Sequence, residues 1–142
     1  MCDVSEVNAA PLGYLLYRVI SVLRPQASGA LGPLGLTIPE FVCMNLLAQQ
    51  PGRSSADLAR NTNVTPQAMN TVLQRLQNRG AVSRPDSAPS GRALPATLTD
   101  AGEELLRQAQ EAVSESDGRV LAALSPAEQR QFRQMLERIG SQ

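Results

Sequence analysis

Residues 54–80 read SSADLARNTNVTPQAMNTVLQRLQNRG, and this stretch decides the fold. Ser54-Ser55-Ala56-Asp57 has the form of a helix N-terminus, where a short side-chain oxygen takes an otherwise unpaired amide and an acid sits in the first turn. Thr65-Pro66 is a second such start, with Pro in the first turn, where its missing N–H costs nothing. Gly80 suits the left-handed residue that closes a helix. Helices over 54–62 and 65–79, joined by about three residues, predict a helix-turn-helix. In the second helix Ala68, Met69, Val72, Leu73 and Leu76 share one face and are expected to bury it. Gln67, Asn70, Thr71, Gln74 and Arg75 lie opposite, hydrogen-bonding and free of carboxylates. That set matches the donor and acceptor patterns of base edges in the major groove. The competing reading is an ordinary solvated face, but there Glu and Lys are the common choices. Small residues at the start (Thr65, Pro66, Ala68) permit close approach to DNA. Ser54, Ser55 and Thr65 cap helices, and free amides at such ends also suit phosphate.

Working downstream, the period changes after Gly80. Val82-Ser83-Arg84 and Leu94 to Leu98 read as short strands around a turn-rich loop at 85–92. Pro95 restricts its strand to an edge. A hairpin here makes the helix-turn-helix winged. Arg92, beside Gly91 in the loop, can reach a narrow minor groove, and Arg84 is a candidate phosphate contact. Thr99 then caps a long helix with apolar Ala101, Leu105, Ala109, Ala112, Val113, Val120 and Leu121. Ser125-Pro126-Ala127-Glu128 is a capping box opening a last helix with Phe132, Met135, Leu136 and Ile139. Upstream, Leu15, Leu16, Val19, Ile20, Val22 and Leu23 predict a helix from Pro11 to about Leu31, bent or interrupted at Pro25. Thr37-Ile38-Pro39-Glu40 is a capping box that opens an apolar helix stopped by Pro51-Gly52.

Composition narrows the function. The chain has 142 residues, 42% hydrophobic and 18% charged, with 10 Gly and 10 Pro, which is one globular domain or two very small ones. It has no His and no Lys, so His-liganded zinc, Ser-His-Asp triads, Schiff bases and Walker-type phosphate loops are excluded. Catalytic groups, metal ligands and a cofactor motif are not found. The run Glu103, Glu104, Glu111, Glu115 and Asp117 reads as a solvated face. Cys2 and Cys43 predict no structural disulfide, and no secretory signal or membrane span is visible, so the expected setting is the cytoplasm. Net charge is zero overall, but residues 53–92 carry six Arg against Asp57 and Asp86, a net +4. The preceding segment is −1 and the following one −3. A basic middle between acidic ends fits a nucleic-acid surface on one part of the chain.

Ser54 to Ala59, Val64 to Met69, Leu73-Gln74-Arg75-Leu76, Gly80 to Arg84, Gly91-Arg92-Ala93-Leu94 and Leu98-Thr99-Asp100-Ala101-Gly102 together resemble the multiple-antibiotic-resistance regulator (MarR) family. The resemblance spans roughly residues 12–140. Its most specific part is the Gly-Arg, Leu-Thr, Ala-Gly pattern after a helix-turn-helix. The chain departs from it at Ser90, where many members carry an acid. The resemblance implies a mainly α fold, with a winged helix-turn-helix core of four helices plus a small β-hairpin wing, flanked by N- and C-terminal dimerisation helices. It implies a homodimeric transcription regulator, usually a repressor, on double-stranded DNA, released by small aromatic or anionic ligands. The expected division is 36–99 for DNA binding, with 1–35 and 100–142 for dimerisation. The terminal helices support a dimer independently, because their apolar faces exceed what the winged core can cover. The resemblance further implies a ligand crevice between the two regions. Tyr14, Tyr17 and Arg18 of the first helix, Phe41 and Met44 of the second, and Arg53 are the candidate lining, an aromatic wall beside guanidinium groups. Two alternatives are a redox trigger at Cys43 and a winged adaptor that binds protein instead of DNA. The first suffers from the apolar neighbours of Cys43, the second from the lack of acids on the exposed helix face.

Overall fold

The local start signals of the sequence become hydrogen bonds. In the computed structural model, which describes residues 10–62, 64–85 and 95–140, Ser54 Oγ accepts from the Asp57 amide at 3.2 Å and Asp57 Oδ2 accepts from the Ser54 amide at 3.2 Å. Ser125 and Glu128 form the same reciprocal pair at 3.1 and 2.8 Å. Thr65 accepts from Ala68 and Thr99 from Gly102, at 3.1 and 3.0 Å. At Thr37 the expected box closes differently. Its hydroxyl accepts from the Glu40 amide and donates to Glu40 Oε1 at 3.0 Å, giving a donor to a carboxylate that is only 5% exposed.

The helices so started are α1 (Leu12–Leu31), α2 (Ile38–Gln49), α3 (Ser55–Arg60), α4 (Pro66–Asn78), α5 (Asp100–Val120) and α6 (Pro126–Gly140). A 3₁₀ turn, Gly32–Leu34, follows α1, and another, Leu121–Ala123, follows α5. α1 runs through Pro25 without the interruption that was one of the two expected outcomes there. Both Pro25 and Ser21 are exposed, so water can serve the Ser21 carbonyl that a proline nitrogen cannot. No single helix among the described residues is long and apolar enough to cross a membrane.

β1 (Val82–Ser83) and β2 (Thr97–Leu98) pair antiparallel, Val82 with Leu98 and Ser83 with Thr97. A third piece of backbone joins them. The Ala96 amide donates to the Arg53 carbonyl and the Gly52 amide to the Ala96 carbonyl, each at 2.9 Å. The sequence at Pro51-Gly52 had read only as a helix stop.

The core lies where the end of α1 meets α2, α3 and α4. Leu31, Cys43, Met44, Leu47, Leu58, Met69, Leu73 and Leu76 are all at most 1% exposed. On the expected buried face of α4, Val72 is half-buried and Ala68 exposed, because both lie to one side of the buried stripe of Met69, Leu73 and Leu76. Along α5 Gly102, Leu106, Ala109 and Ser116 are buried, Leu105 and Val113 pack against the core as expected, and Ala101 faces out. α1 lies along α5. The start of α5 docks on the turn after α4. There the Thr99 amide and hydroxyl donate to the carbonyls of Ala81 and Gly80, at 3.0 and 2.6 Å. Gly80 has φ +79, the left-handed closure expected of it. Gly102 comes so close that a Cβ there would stand 2.0 Å from the Ala81 carbonyl oxygen. α6 buries none of its residues.

Candidate nucleic-acid interface

α4 is seated by Met69, Leu73 and Leu76, so the opposite face has one direction left, outward. Gln67, Asn70, Thr71, Gln74 and Arg75 are all exposed, as are Thr65 and Pro66 at its start. Thr71 donates back to the Gln67 carbonyl at 3.2 Å, and Gln74 donates to Asn78 Oδ1 at 2.9 Å. Among the described residues no carboxylate pairs with Arg75. Ser54 is buried beneath its capping box and Ser55 is half-buried, so both serve first as helix starts.

The basic residues divide into two groups. Arg60 pairs with Asp57. Arg79 points away from the reading face, donating to the Gly35 and Leu34 carbonyls at 3.0 and 2.9 Å. Arg84, just past β1, reaches across to α4. It donates to Asn70 Oδ1 at 2.8 Å and to Gln77 Oε1 at 3.3 Å. Gln77 was not anticipated. It sits seven residues from Arg84, and no local spacing marks such a pair. Arg92 lies outside the described residues.

Three crevices adjoin α1. One, of about 370 Å³, is lined by Leu15, Arg18, Val19, Val22, Val120 and Leu121. Another of about 370 Å³ is lined by Arg24, Pro25, Ser28, Thr37, Ile38 and Pro39. A smaller one of about 160 Å³ shares Arg24 and adds Val42, Thr62, Val64 and Met69. None of the three gathers the six expected ligand residues. Only Arg18 lines one. Tyr14 and Tyr17 are exposed on α1, and Phe41 is half-buried. Met44 is drawn wholly into the core, and Arg53 is held by the strand bridge and a side-chain bond to Gln50.

Cys43 is fully buried, and that burial pushes its thiol up to about 12. Arg84 nearby opposes the shift and Glu40 adds to it. A thiol so placed is not a thiolate at neutral pH. Among the described residues no three His, Cys, Asp or Glu side chains gather as metal ligands.

A helix-turn-helix carrying a small antiparallel wing, with its second helix presented to solvent, defines the class of winged-helix proteins. The model of the MarR family matches residues 34–93. An HTH-type transcriptional repressor of Mycobacterium tuberculosis is 61% identical over 132 residues, covering 93% of this chain and 95% of that protein. Two solved structures of a MarR family protein of Mycobacterium tuberculosis are similar throughout. One, in complex with DNA, has TM-score 0.81 at 57% identity, covering 92% of this chain and 98% of that one. The other, in complex with salicylic acid, has TM-score 0.78 at 59% identity, covering 94% and 98%. The chain belongs to the MarR family, a family of transcription regulators and not an enzyme class.

Proposed function

We propose that this chain is a homodimeric transcription repressor that binds a pseudo-palindromic operator and is released by a small aromatic acid. The observation that carries the reading is the face of α4, exposed, carboxylate-free and rich in amide and guanidinium groups. Asn70, Gln67, Gln74 and Arg75 face base edges in the major groove, with Thr65, Pro66 and Thr71 at close approach. Arg92 is the proposed minor-groove contact. Residues 36–99 make the DNA-binding unit, and 1–35 with 100–142 make the dimer. Support for the dimer comes from large apolar side chains left in water at both ends of the chain. Leu12, Tyr17 and Ile139 are 65%, 67% and 60% exposed. A twofold mate covers such surfaces and sets two copies of α4 about one DNA turn apart. The similar protein of Mycobacterium tuberculosis, solved with DNA and with salicylic acid, supports both ligands. The protein acts in the cytoplasm, on DNA. The effector docks by an aromatic ring against apolar side chains and by its carboxylate on an arginine of α1, Arg18 or Arg24, each of which lines a crevice.

The test is selection of bound DNA from a random pool, repeated with salicylate. Inverted repeats with half-site centres roughly 10 bp apart are expected. Salicylate should weaken operator binding by the same factor that operator weakens salicylate binding. Asymmetric sites or a monomer at micromolar concentration would end the dimer reading. Unchanged salicylate affinity in both Arg18→Ala and Arg24→Ala would remove these arginines from the effector site.

A further inference from the structure

We infer that Arg84 is a positioning residue that fixes the base specificity of Asn70, engaging its acceptor and leaving it a donor-only side chain that selects guanine. The inference rests on the reading that α4 enters the major groove, and it assigns Arg84 a role other than phosphate binding.

A guanidinium can only donate. The Asn70 atom 2.8 Å from Arg84 Nη1 is therefore Oδ1, whatever the amide's other surroundings. For the same reason the Gln77 atom 3.3 Å from Arg84 Nε is Oε1. The two bonds hold the guanidinium between positions 70 and 77 of one helix, and Gln77 is half-buried, so the fork is anchored on its inner side. An unengaged Asn suits adenine, accepting from the N6 amino group while donating to N7. Here the accepting atom is engaged, and a positive charge stands beside its second lone pair, opposing any approaching amino donor. What Asn70 still offers is the two hydrogens on its Nδ2. Donors alone match the adjacent O6 and N7 acceptors of guanine. They reject cytosine, which presents its N4 amino group, and lose one of the two bonds to adenine.

The decisive variant is Arg84→Met, which keeps the aliphatic stem and removes every donor. It is compared with wild type, Asn70→Ala and the double variant on full-length protein, using DNA randomised across one half-site at several salt concentrations. Wild type should favour guanine at one position per half-site by roughly fivefold or more over adenine and cytosine. Arg84→Met should raise adenine to parity with guanine or above it, and leave the salt dependence unchanged. In the Asn70→Ala background the same change should shift no base preference. A uniform loss of affinity with a salt slope lower by about one per subunit would make Arg84 a phosphate contact and overturn the inference. So would an unaltered base preference. The Asn70 side-chain amide resonances of DNA-free protein give a separate reading, since they should move in Arg84→Met, and unmoved signals refute the brace. If wild type selects no sequence at all, the DNA reading of α4 fails and the base-selection role fails with it, whereas the amide shift still reports on the brace alone.

Discussion

Gly102→Ala should destabilise the protein although it replaces a helical glycine with the best helix former. The added Cβ would lie 2.0 Å from the Ala81 carbonyl oxygen, whereas carbon and oxygen ordinarily meet at about 3.3 Å or more. The obstacle is backbone, and it is the same carbonyl that accepts from the Thr99 amide at 3.0 Å. Relief therefore requires the start of α5 to shift off the turn after α4. Such overpacking costs about 1–3 kcal/mol, and straining or losing the Thr99 bond adds roughly 1 kcal/mol. Helix propensity returns at most about 1 kcal/mol. The net expectation is a loss of about 1–3 kcal/mol. With unfolding entropy near 2.1 cal/mol/K per residue, a chain of 142 residues loses roughly 3–10 °C in Tm. Circular dichroism melts at one fixed protein concentration measure it, since association would otherwise move the midpoint. Gly29→Ala in α1 is the internal comparison, because a methyl there meets open space. It should raise Tm by a few degrees through roughly 0.5–1 kcal/mol of propensity. If both variants melt at or above wild type, the argument from the Ala81 contact is refuted.

Three further outcomes are expected. In a Cys2→Ser background, Cys43 should resist a thiol reagent at pH 8 in native protein and react at once in denaturant, and rapid native labelling would count against its buried, un-ionised state. Glu104 is held down to about 2, first by its hydrogen bond from Arg107, and Asp57 and Glu128 are lowered, first by bonds from the backbone amides of Ser54 and Ser125. Because folding lowers these pKa values, their stabilisation is full above the ordinary carboxylate range and is lost as pH falls through the lowered values, while Asp117, raised by burial, works the other way. The urea midpoint should thus fall between pH 5 and pH 2, and a flat profile would contradict the capping assignments. Leu73→Ala, which empties a site with 0% exposure behind the reading face, should cost about 2–5 kcal/mol and abolish DNA binding at temperatures where wild type still binds, as followed by melts and by gel shift.

Much of this was legible in the sequence, for a local reason. Ser54, Thr65, Thr99 and Ser125 each announce a helix within three residues, and Met69, Leu73 and Leu76 announce its inner face by spacing alone. What escaped was non-local or small. The Arg53–Ala96 bridge joins single residues from distant segments, and the Arg84–Asn70 bond carries no periodic signature. Ala68 and Ala101 look apolar but are too short to insist on burial. Pro25 followed the rule for helix interiors, whereas an exposed carbonyl escapes it. The ligand lining was implied by a family likeness and not by pattern, and the inward turn of Met44 is a packing decision made by the whole core.

Arg79 has a consequence for how the molecule can be divided. Its guanidinium ties the C-terminal end of α4 to the Leu34 and Gly35 carbonyls, 45 and 44 residues earlier in the chain. Leu31, the last residue of α1, is fully buried in the same core as Leu73 and Leu76. The reading helix is thereby fastened to the end of the first helix both by packing and by a polar clasp. A fragment cut at residue 36 would leave that clasp without its acceptors and the core without one wall. A fragment lacking residues before 36 should therefore melt below the whole chain, and an equal melting point would show that the clasp and the Leu31 wall are dispensable. A displacement of the α1 end thus meets α4 directly, through buried Leu31 and the two Arg79 bonds, without an intervening loop.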